Sequence, residues 1–256
     1  MQTLNQKTSV LLTERDIFIL KGLYDFIVMS FPQLASQFFA DKAKPTIINR
    51  LSKLEKCGLI TKTKLPRFIT GQNQIVISVV YQISRLGIRE LQKRFSNVEF
   101  HPEPVKLQPF SITHDLLLVD VLLTLKYQKP DKNFVLGEHF CRCKSHLGVK
   151  PDAILSDTNG KLTIALELEL TAKSERRYRE LILKYRLAKD FESVIYVTSS
   201  EVIRNKIQNI LGTAGMVSKF QFLSLDTIFL GSTSENFKHK STRIGAESEA
   251  KNDQQK

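Results

Sequence analysis

The sequence has few cysteines, and it has no apolar run long enough to cross a membrane. Its three cysteines are an odd number and indicate no disulfide framework, and no charged-then-apolar signal peptide opens the chain. The longest apolar run, Leu116 to Leu125, is interrupted by Asp120 and is shorter than the roughly 20 residues that a spanning helix needs. These absences predict a soluble protein of the reducing cytoplasm with no membrane partner.

Acidic residues are also in deficit. The 256 residues include 38 Lys and Arg against 26 Asp and Glu, which gives a formal net charge of +12 and a pI near 9.6. The excess is greatest in residues 1–100, which carry 15 basic and 7 acidic residues. A charge balance of this kind favours an anionic partner, and nucleic acid is the first candidate.

Length and patterning predict two domains. A chain of 256 residues allows one large domain or two ordinary ones, and the pattern changes character near residue 100. We predict an N-terminal domain over residues 1–96, a proline-containing linker over 97–112, and a second domain over 113–230. Residues 231–256 are rich in Ser, Lys and Glu and are predicted to form a flexible tail.

The N-terminal domain is predicted to open with three helices. Thr13 with Asp16 three residues later is an N-cap pattern for the first helix. Phe31-Pro32 begins the second, and Pro45 suits the first turn of the third. Apolar residues at helical spacing predict a buried stripe on the third helix, formed by Ile47, Ile48, Leu51 and Leu54.

Two strand-like runs, residues 59–70 and 74–83, follow the third helix, and a helix capped by Ser84 closes the domain. Three helices with a basic hairpin are typical of a winged helix-turn-helix, which sets its third helix in the major groove of DNA. Asn49 and Arg50 are predicted to read base edges. The residues predicted to contact phosphates are Lys53, Lys56, Lys62, Lys64 and Arg67. A winged helix that pairs with protein, its charges solvated, is the alternative.

The second domain contains a predicted acidic hairpin. Asn-Gly between alternating apolar runs is a strong hairpin pattern, and with Asn159 and Gly160 as the loop, Asp152 faces Glu167. Glu169 shares the face of Glu167, since side chains alternate along a strand. Clustered carboxylates suit Mg²⁺ or Mn²⁺. The alternative is a solvated strand face whose acids pair with neighbouring lysines.

Other patterns complete the second domain. The segment from His139 to His146 contains two histidines and two cysteines, but their spacing matches no common zinc motif, so we expect strand or loop there. A helix capped by Ser174 is predicted to turn Tyr178 and Tyr185 inward. The order helix, three strands, helix, strand predicts a mixed sheet flanked by helices.

These residues resemble two related groups of proteins. Pro151-Asp152 on the second strand and Glu167-Leu-Glu169 on the third resemble the PD-(D/E)xK nuclease superfamily. The winged-helix pattern and residues 167–174, followed by Arg177-Tyr178 and Tyr185, look like the plasmid replication-relaxation family, including the MobC-type mobilisation relaxases. The resemblance covers about residues 13–225. It implies an α+β protein, in which a winged helix-turn-helix precedes a restriction-endonuclease-like α/β domain.

The resemblance also implies a metal site. Asp152 and Glu167 would hold Mg²⁺ or Mn²⁺, and Glu138 on the preceding strand would complete the shell. Glu169 stands where the superfamily has a lysine that stabilises charge on the phosphate. Two alternatives follow. Glu169 is itself a further metal ligand, or another residue, such as Lys173, supplies the positive charge that the superfamily's lysine provides.

Two nucleophiles remain open. A relaxase usually cuts through a covalent phosphotyrosine. Tyr178 and Tyr185 are the tyrosines nearest the acidic strand in sequence, and Tyr178 is the candidate nucleophile, although the inward stripe of a helix more commonly serves packing. A metal-activated water is the competing nucleophile.

The patterns and the resemblance together predict a metal-dependent DNA endonuclease or relaxase. It would bind double-stranded DNA at a plasmid origin of transfer, nick one strand, and work with coupling or accessory mobilisation proteins. The alternative is a non-catalytic replication or transcription regulator that binds an operator and has a degenerate nuclease fold. A restriction or transposon-end endonuclease would share the chemistry but cut both strands.

Overall fold

Two β-sheets with helices packed on them make this a mixed α+β protein, as the sequence predicts. The computed structural model describes residues 11–69, 74–143, 148–157, 163–213, 215 and 217–230. The described residues cluster into two compact units. The first comprises the residues up to Asp120 together with Val135–Lys150, and the second comprises Val121–Phe134 and the residues from Pro151 onward. Within the described ranges, every helix is too short or too polar to cross a membrane.

The first unit contains the predicted three helices, two long strands and closing helix, with a short extra strand. Its elements are α1 (Glu14–Asp25), β1 (Met29–Ser30), α2 (Phe31–Phe38), α3 (Lys44–Lys56), β2 (Ile60–Ile69), β3 (Gln74–Ile83) and α4 (Arg85–Arg94). The antiparallel sheet has the order β1-β3-β2. Strands β2 and β3 form a long two-stranded ribbon, paired from Ile60↔Ile83 to Ile69↔Gln74.

Local hydrogen bonds explain where these helices begin and end. Thr13 and Asp16 form the predicted capping box of α1, with the Thr13 N–H donating to the Asp16 carboxylate at 2.7 Å. Ser30 caps α2 in the same way, and Ser84 Oγ accepts the N–H of Gly87 at 3.1 Å at the start of α4. Gly58, with φ of +71°, ends α3 in a conformation that other residues rarely adopt.

The core of the first unit confirms the predicted stripe of α3 with one correction. Ile47, Leu51 and Leu54 are buried, but Ile48 is 45% exposed. Ile48 lies next to the buried stripe in sequence, and the 100° step of the helix turns its side chain toward the flank. The prediction that Ile48 packs in the core was wrong.

Three elements connect the units along the chain: α5 (Ile112–Gln128), β4 (Lys132–Leu136) and α6 (Gly137–Cys143). Helix α5 begins at Ile112, and it is apolar nearly all round. Its first part clusters with the first unit, where Gln33 on α2 donates to Leu116 O and Asp120 Oδ1, both at 2.8 Å. The predicted linker at 97–112 also packs there, with Phe100 against the ring of Tyr24 at 4.9 Å.

Helix α6 corrects two predictions. Glu138 lies on this helix rather than on the preceding strand, and the described part of the histidine- and cysteine-containing segment, residues 139–143, is helical rather than strand or loop. A short apolar run does not distinguish a strand from a helix by its periodicity. Residues 144–147 lie outside the described ranges, as does the predicted turn at Asn159 and Gly160.

The second sheet is mixed and five-stranded, in the order β4-β5-β6-β7-β8, and strands β5 to β8 belong to the second unit. Its further elements are β5 (Ala153–Asp157), β6 (Thr163–Glu169), α7 (Glu175–Leu187), β7 (Ser193–Thr198), α8 (Glu201–Thr213), β8 (Phe220–Ser224) and α9 (Leu225–Leu230). Strands β5 and β6 are antiparallel, and the helical crossovers α7 and α8 make β6, β7 and β8 parallel. The register of β5 and β6, from Ala153↔Leu166 to Ser156↔Thr163, is the predicted one.

Candidate functional site

The acidic strand β6 lies in the middle of the mixed sheet. Glu167 is 5% exposed and Glu169 is 1% exposed. They lie on a central strand between β5 and β7, and tyrosines of α7 bond Glu167 and the backbone of Lys173 over them. The parallel register sets Tyr196 of β7 beside Glu167 and Thr198 beside Glu169. The alternative of a solvated acidic strand face is therefore wrong: these carboxylates belong to the core.

Asp152 immediately precedes β5 and joins this group. Extending the observed register by one residue places Asp152 opposite Glu167, as predicted. Its carboxylate Oδ2 accepts the N–H of Leu168 at 2.8 Å, which fixes the side chain against β6. The half-buried carboxyl group of Asp152 and the buried one of Glu167 thus lie opposite each other, where like charges disfavour simultaneous ionisation.

The environment of Glu167 changes its protonation. Burial, and then the negative charge of Asp152, raise the pKa of Glu167 to about 8. The hydroxyl of Tyr185 donates to Oε1 of Glu167, and burial followed by the charge of Glu167 raises the pKa of Tyr185 well above its usual value. Near neutral pH, Glu167 is mainly a neutral carboxyl group that accepts a hydrogen bond from a neutral phenol.

Lys173 lies beside Glu169 in the short connection between β6 and α7. Its Nζ forms an ion pair with Oε1 of Glu169. Its backbone is fixed from two helices, since its N–H donates to the hydroxyl of Tyr178 at 3.1 Å and its carbonyl accepts from Nζ of Lys206 at 2.8 Å. The structure therefore brings the predicted cation next to the acidic strand and holds it there.

Three tyrosines surround the carboxyl groups, and all three are fully buried: Tyr178, Tyr185 and Tyr196. Burial is the main cause that raises the pKa of Tyr178, so its phenolate is disfavoured in the folded chain. The hydroxyl of Tyr196 has no hydrogen-bond partner in the part of the chain that the structure describes. The sequence analysis missed Tyr196, because the register of a parallel neighbour separated by a helix cannot be read from local spacing.

The fourth predicted ligand does not belong to the compact unit that contains the acidic strand. Glu138 lies in the first unit, where its carboxylate forms ion pairs with Lys150 at 2.5 Å and Arg142 at 3.2 Å. The hydrogen bond from Lys150 is the main cause that lowers the pKa of Glu138. Among the residues that the structure describes, no three His, Cys, Asp or Glu side chains converge as a ready metal centre.

A second candidate site covers the outer face of α3 and the adjacent ribbon. Its exposed polar and basic side chains are Thr46, Asn49, Lys53, Lys56, Lys62 and Lys64. Ile48 is exposed on the same helix. The side chain of Arg67 lies outside the described residues. The described phosphate-contact candidates are therefore all accessible to a partner.

Arg50 differs from its neighbours on α3. Its Nε donates to Oδ1 of Asp16 at 2.7 Å, a second guanidinium nitrogen bonds Oδ2 of the same carboxylate, and this nitrogen also donates to Leu11 O at 3.1 Å. Asp16 is fully buried. Burial acts to raise the pKa of Asp16, but the hydrogen bonds from Arg50 and Thr13 outweigh it and hold that pKa below its usual value. Arg50 thus joins α3 to α1.

No family model matches the chain, no curated protein shows significant similarity to it, and no solved structure matches it significantly. The family resemblance drawn from the motifs remains a prediction.

Proposed function

We propose that the protein binds double-stranded DNA through the outer face of α3 and the β2–β3 ribbon. The observation that carries this proposal is the exposed row of lysines along α3 and β2, Lys53, Lys56, Lys62 and Lys64, beside the exposed amide of Asn49. The order α1-β1-α2-α3-β2-β3-α4 with sheet order β1-β3-β2 supports a winged helix-turn-helix. In that arrangement the third helix enters the major groove and cations on the ribbon contact phosphates.

Binding and its salt dependence test this proposal in the full chain. Selection from random duplexes identifies a preferred sequence, and fluorescence anisotropy measures Kd against salt concentration. Each lysine that contacts a phosphate contributes about one to the slope of log K against log salt. The double variant Lys53→Ala/Lys56→Ala should bind more weakly, with a slope shallower by about two.

The matched control is Lys93→Ala on α4, since Lys93 is exposed and pairs with Glu90 at 2.7 Å. It should retain the affinity and slope of the unmodified chain. Absence of any preferred duplex, or equal affinity in the double variant and the control, would overturn the proposal.

Strand cleavage is a second candidate function, and one observation favours it: the register of β5 and β6 and the bond from Leu168 N–H to Asp152 hold the carboxyl group of Asp152 opposite that of Glu167. Paired carboxyl groups in a buried site attract a divalent cation, which relieves their repulsion. Mg²⁺ commonly binds one or two carboxylates and completes its shell with water and phosphate oxygens, so a third converging carboxylate is not required.

The donor set fits Mg²⁺ or Mn²⁺. The available groups are hard oxygen donors, and the buried Tyr196 hydroxyl, which has no partner among the described residues, adds a further oxygen near Glu167. Asp152 and Glu167 would hold the ion, and Lys173 would keep the charge of Glu169 compensated. When bound, such an ion activates water and neutralises charge on a phosphate.

Cleavage of supercoiled plasmid carrying the selected sequence, in Mg²⁺ or Mn²⁺, tests this candidate. Nicked circles are expected, with loss of nicking but not of binding in Asp152→Asn and in Glu167→Gln. The exposed acid variant Glu192→Gln serves as the control and should nick normally. Retained cleavage in both site variants would reject the site, and linear products would indicate an enzyme that cuts both strands.

A plasmid-mobilisation relaxase acting with coupling or accessory proteins is the narrower form of this candidate. Such enzymes usually use a tyrosine nucleophile, but here the candidate Tyr178 is buried and bonded to the backbone of Lys173. Within this candidate we therefore assign the attack to water, and no detergent-resistant protein–DNA adduct is expected. Specific DNA binding without cleavage, and without stabilisation by any divalent ion, would leave a non-catalytic regulator.

A further inference from the structure

The exposed surface of α3 contains one large apolar residue, at the flank of the buried stripe, among polar and basic ones. Ile48 is 45% exposed, whereas the other large apolar residues of α3, Ile47, Leu51 and Leu54, are buried. It lies in the first turns of the helix, next to the exposed Asn49. In helix-turn-helix proteins the N-terminal part of the recognition helix is the part that reaches base edges.

Base pairs differ in what they present to such a surface. In the major groove, adenine offers an acceptor and a donor that match the two ends of an Asn carboxamide. Its partner thymine offers a methyl group, which favours an apolar contact. A guanine is most often recognised by a bidentate Arg or Lys. An Asn beside an exposed Ile therefore matches an A·T pair in chemistry.

The hydrogen bonds of Arg50 also favour recognition of A·T over G·C pairs by α3. Arg50 is the arginine of α3 and follows Asn49 directly, but its guanidinium is bonded to the buried carboxylate of Asp16 and to Leu11 O. A guanidinium held in this way cannot also form a bidentate pair with guanine. Beside the exposed Lys44, the first turns of α3 thus present an amide suited to adenine and an apolar side chain suited to thymine, while the arginine that would suit guanine is turned to α1.

We infer that α3 reads A·T pairs, with Asn49 hydrogen-bonded to an adenine and Ile48 against the methyl group of a thymine. This inference rests on the proposed DNA binding and identifies the class of sequence that the interface selects. Thr46 is exposed and lies one helical turn before Asn49, so it adds a hydroxyl and a methyl group beside that amide.

Thymine-to-uracil replacement tests the contact with Ile48, since it removes one methyl group and leaves base pairing intact. Duplexes with the selected sequence and one uracil at each thymine position in turn are titrated with the full chain. Loss of a buried methyl contact is worth about fourfold in affinity. For the unmodified chain, we expect uracil to lower the affinity about fourfold at one or two thymine positions. For Ile48→Ala, uracil at those positions should leave the affinity unchanged.

The control is Phe18→Ala, which removes an exposed apolar side chain from α1 instead and should retain the uracil effect. The ratio of the two affinities within each variant is the readout, so partial unfolding of a variant changes both values alike. Replacing the adenine N7 by carbon should weaken duplex binding by the unmodified chain and should leave duplex binding by Asn49→Ala unchanged.

The outcomes separate the two proposals. If the full chain selects no duplex, the proposed DNA binding itself fails. If it selects a duplex whose central bases are G·C, or if Ile48→Ala retains the full uracil effect, DNA binding stands and the assignment of Ile48 and Asn49 is overturned.

Discussion

Single residues decide how the buried acids of the second unit behave. Glu167 has a folded pKa of about 8 against an ordinary value of 4.5. Between these values the folded chain keeps a proton that the unfolded chain has lost, so the free energy of unfolding decreases as pH rises through this interval. The decrease is at most about 1.4 kcal/mol per pH unit and ends above the folded pKa.

We expect this pH dependence to disappear in Glu167→Gln, whose amide keeps an oxygen that can accept from Tyr185. Urea unfolding in chelator-containing buffer, between pH 7 and 8 and again above pH 8, measures it. Comparing the two proteins cancels other groups, including His139, whose pKa is lowered mainly by burial. Identical pH profiles for the unmodified chain and Glu167→Gln would show that the carboxyl group is ionised in the folded chain.

In the first unit, Arg50 stabilises the folded chain by pairing with a buried carboxylate that remains charged. Removing it leaves the fully buried carboxylate of Asp16 without its cation. Breaking a fully buried ion pair costs about 3–5 kcal/mol. Arg50 is partly solvated and Thr13 still bonds Asp16, so we expect Arg50→Ala to lower the free energy of unfolding by about 2 kcal/mol.

The control for Arg50→Ala is Lys53→Ala on the exposed side of α3, which should change stability by less than about 0.5 kcal/mol. Adding Asp16→Asn to Arg50→Ala should restore part of the loss, because a neutral amide tolerates burial better than an unpaired carboxylate. A stability loss no larger than that of Lys53→Ala would contradict the structural role of Arg50.

The sequence alone could not show that the guanidinium of Arg50 is bonded to Asp16. A helical wheel places it on the flank of α3, where both a base contact and an internal contact are possible. Its partner Asp16 lies 34 residues earlier and had already been explained as part of a capping box. The capping pattern could be predicted because it is local, whereas the ion pair depends on how α1 and α3 pack.

At the scale of elements, the same distinction between local and long-range information applies. Most helix starts of the first unit were predicted correctly, because each is defined by a Ser, Thr or Pro at a fixed local position. The register of β5 and β6 was predicted correctly because a two-residue loop leaves one pairing. Helix α6 was predicted wrongly, since its mixed residues have no periodicity that identifies a helix.

The start of α4 provides a test of such local packing. A Cβ atom on Gly87 would overlap the carbonyl oxygen of Leu59 and lie 2.7 Å from Cγ1 of Ile83. Gly87→Ala should therefore lower the free energy of unfolding by about 1–3 kcal/mol, the usual cost of overpacking.

The matched control is Gly212→Ala in α8, where a Cβ has open space. There, alanine should leave stability unchanged or raise it by up to about 1 kcal/mol, because glycine disfavours the helix. Thermal unfolding of both variants measures the difference. Equal effects of the two changes would contradict the close approach of α4 to Leu59.

At the scale of the whole molecule, the two candidate sites belong to different compact units. The α3 face is built from residues before Asp120, and the buried acids are built from residues after Pro151. The change in sequence pattern near residue 100 indicated two domains, but it did not show that the first part of α5 and residues 135–150 cluster with the first unit. Those assignments depend on long-range contacts such as the bonds of Gln33 to α5.

Because the two sites belong to different compact units, we expect them to respond independently to substitution, since effects of changes that share no partners are usually additive. Asp152→Asn should leave the Kd for the selected duplex within about twofold, a change below 0.5 kcal/mol. Lys53→Ala/Lys56→Ala should weaken duplex binding while leaving the pH dependence due to Glu167 unchanged. Anisotropy and urea unfolding on the same four proteins, including the combined variant, measure both properties. If the binding free energy of the combined variant differs by more than about 0.5 kcal/mol from the sum of the two separate changes, DNA binding and the buried acids are energetically coupled.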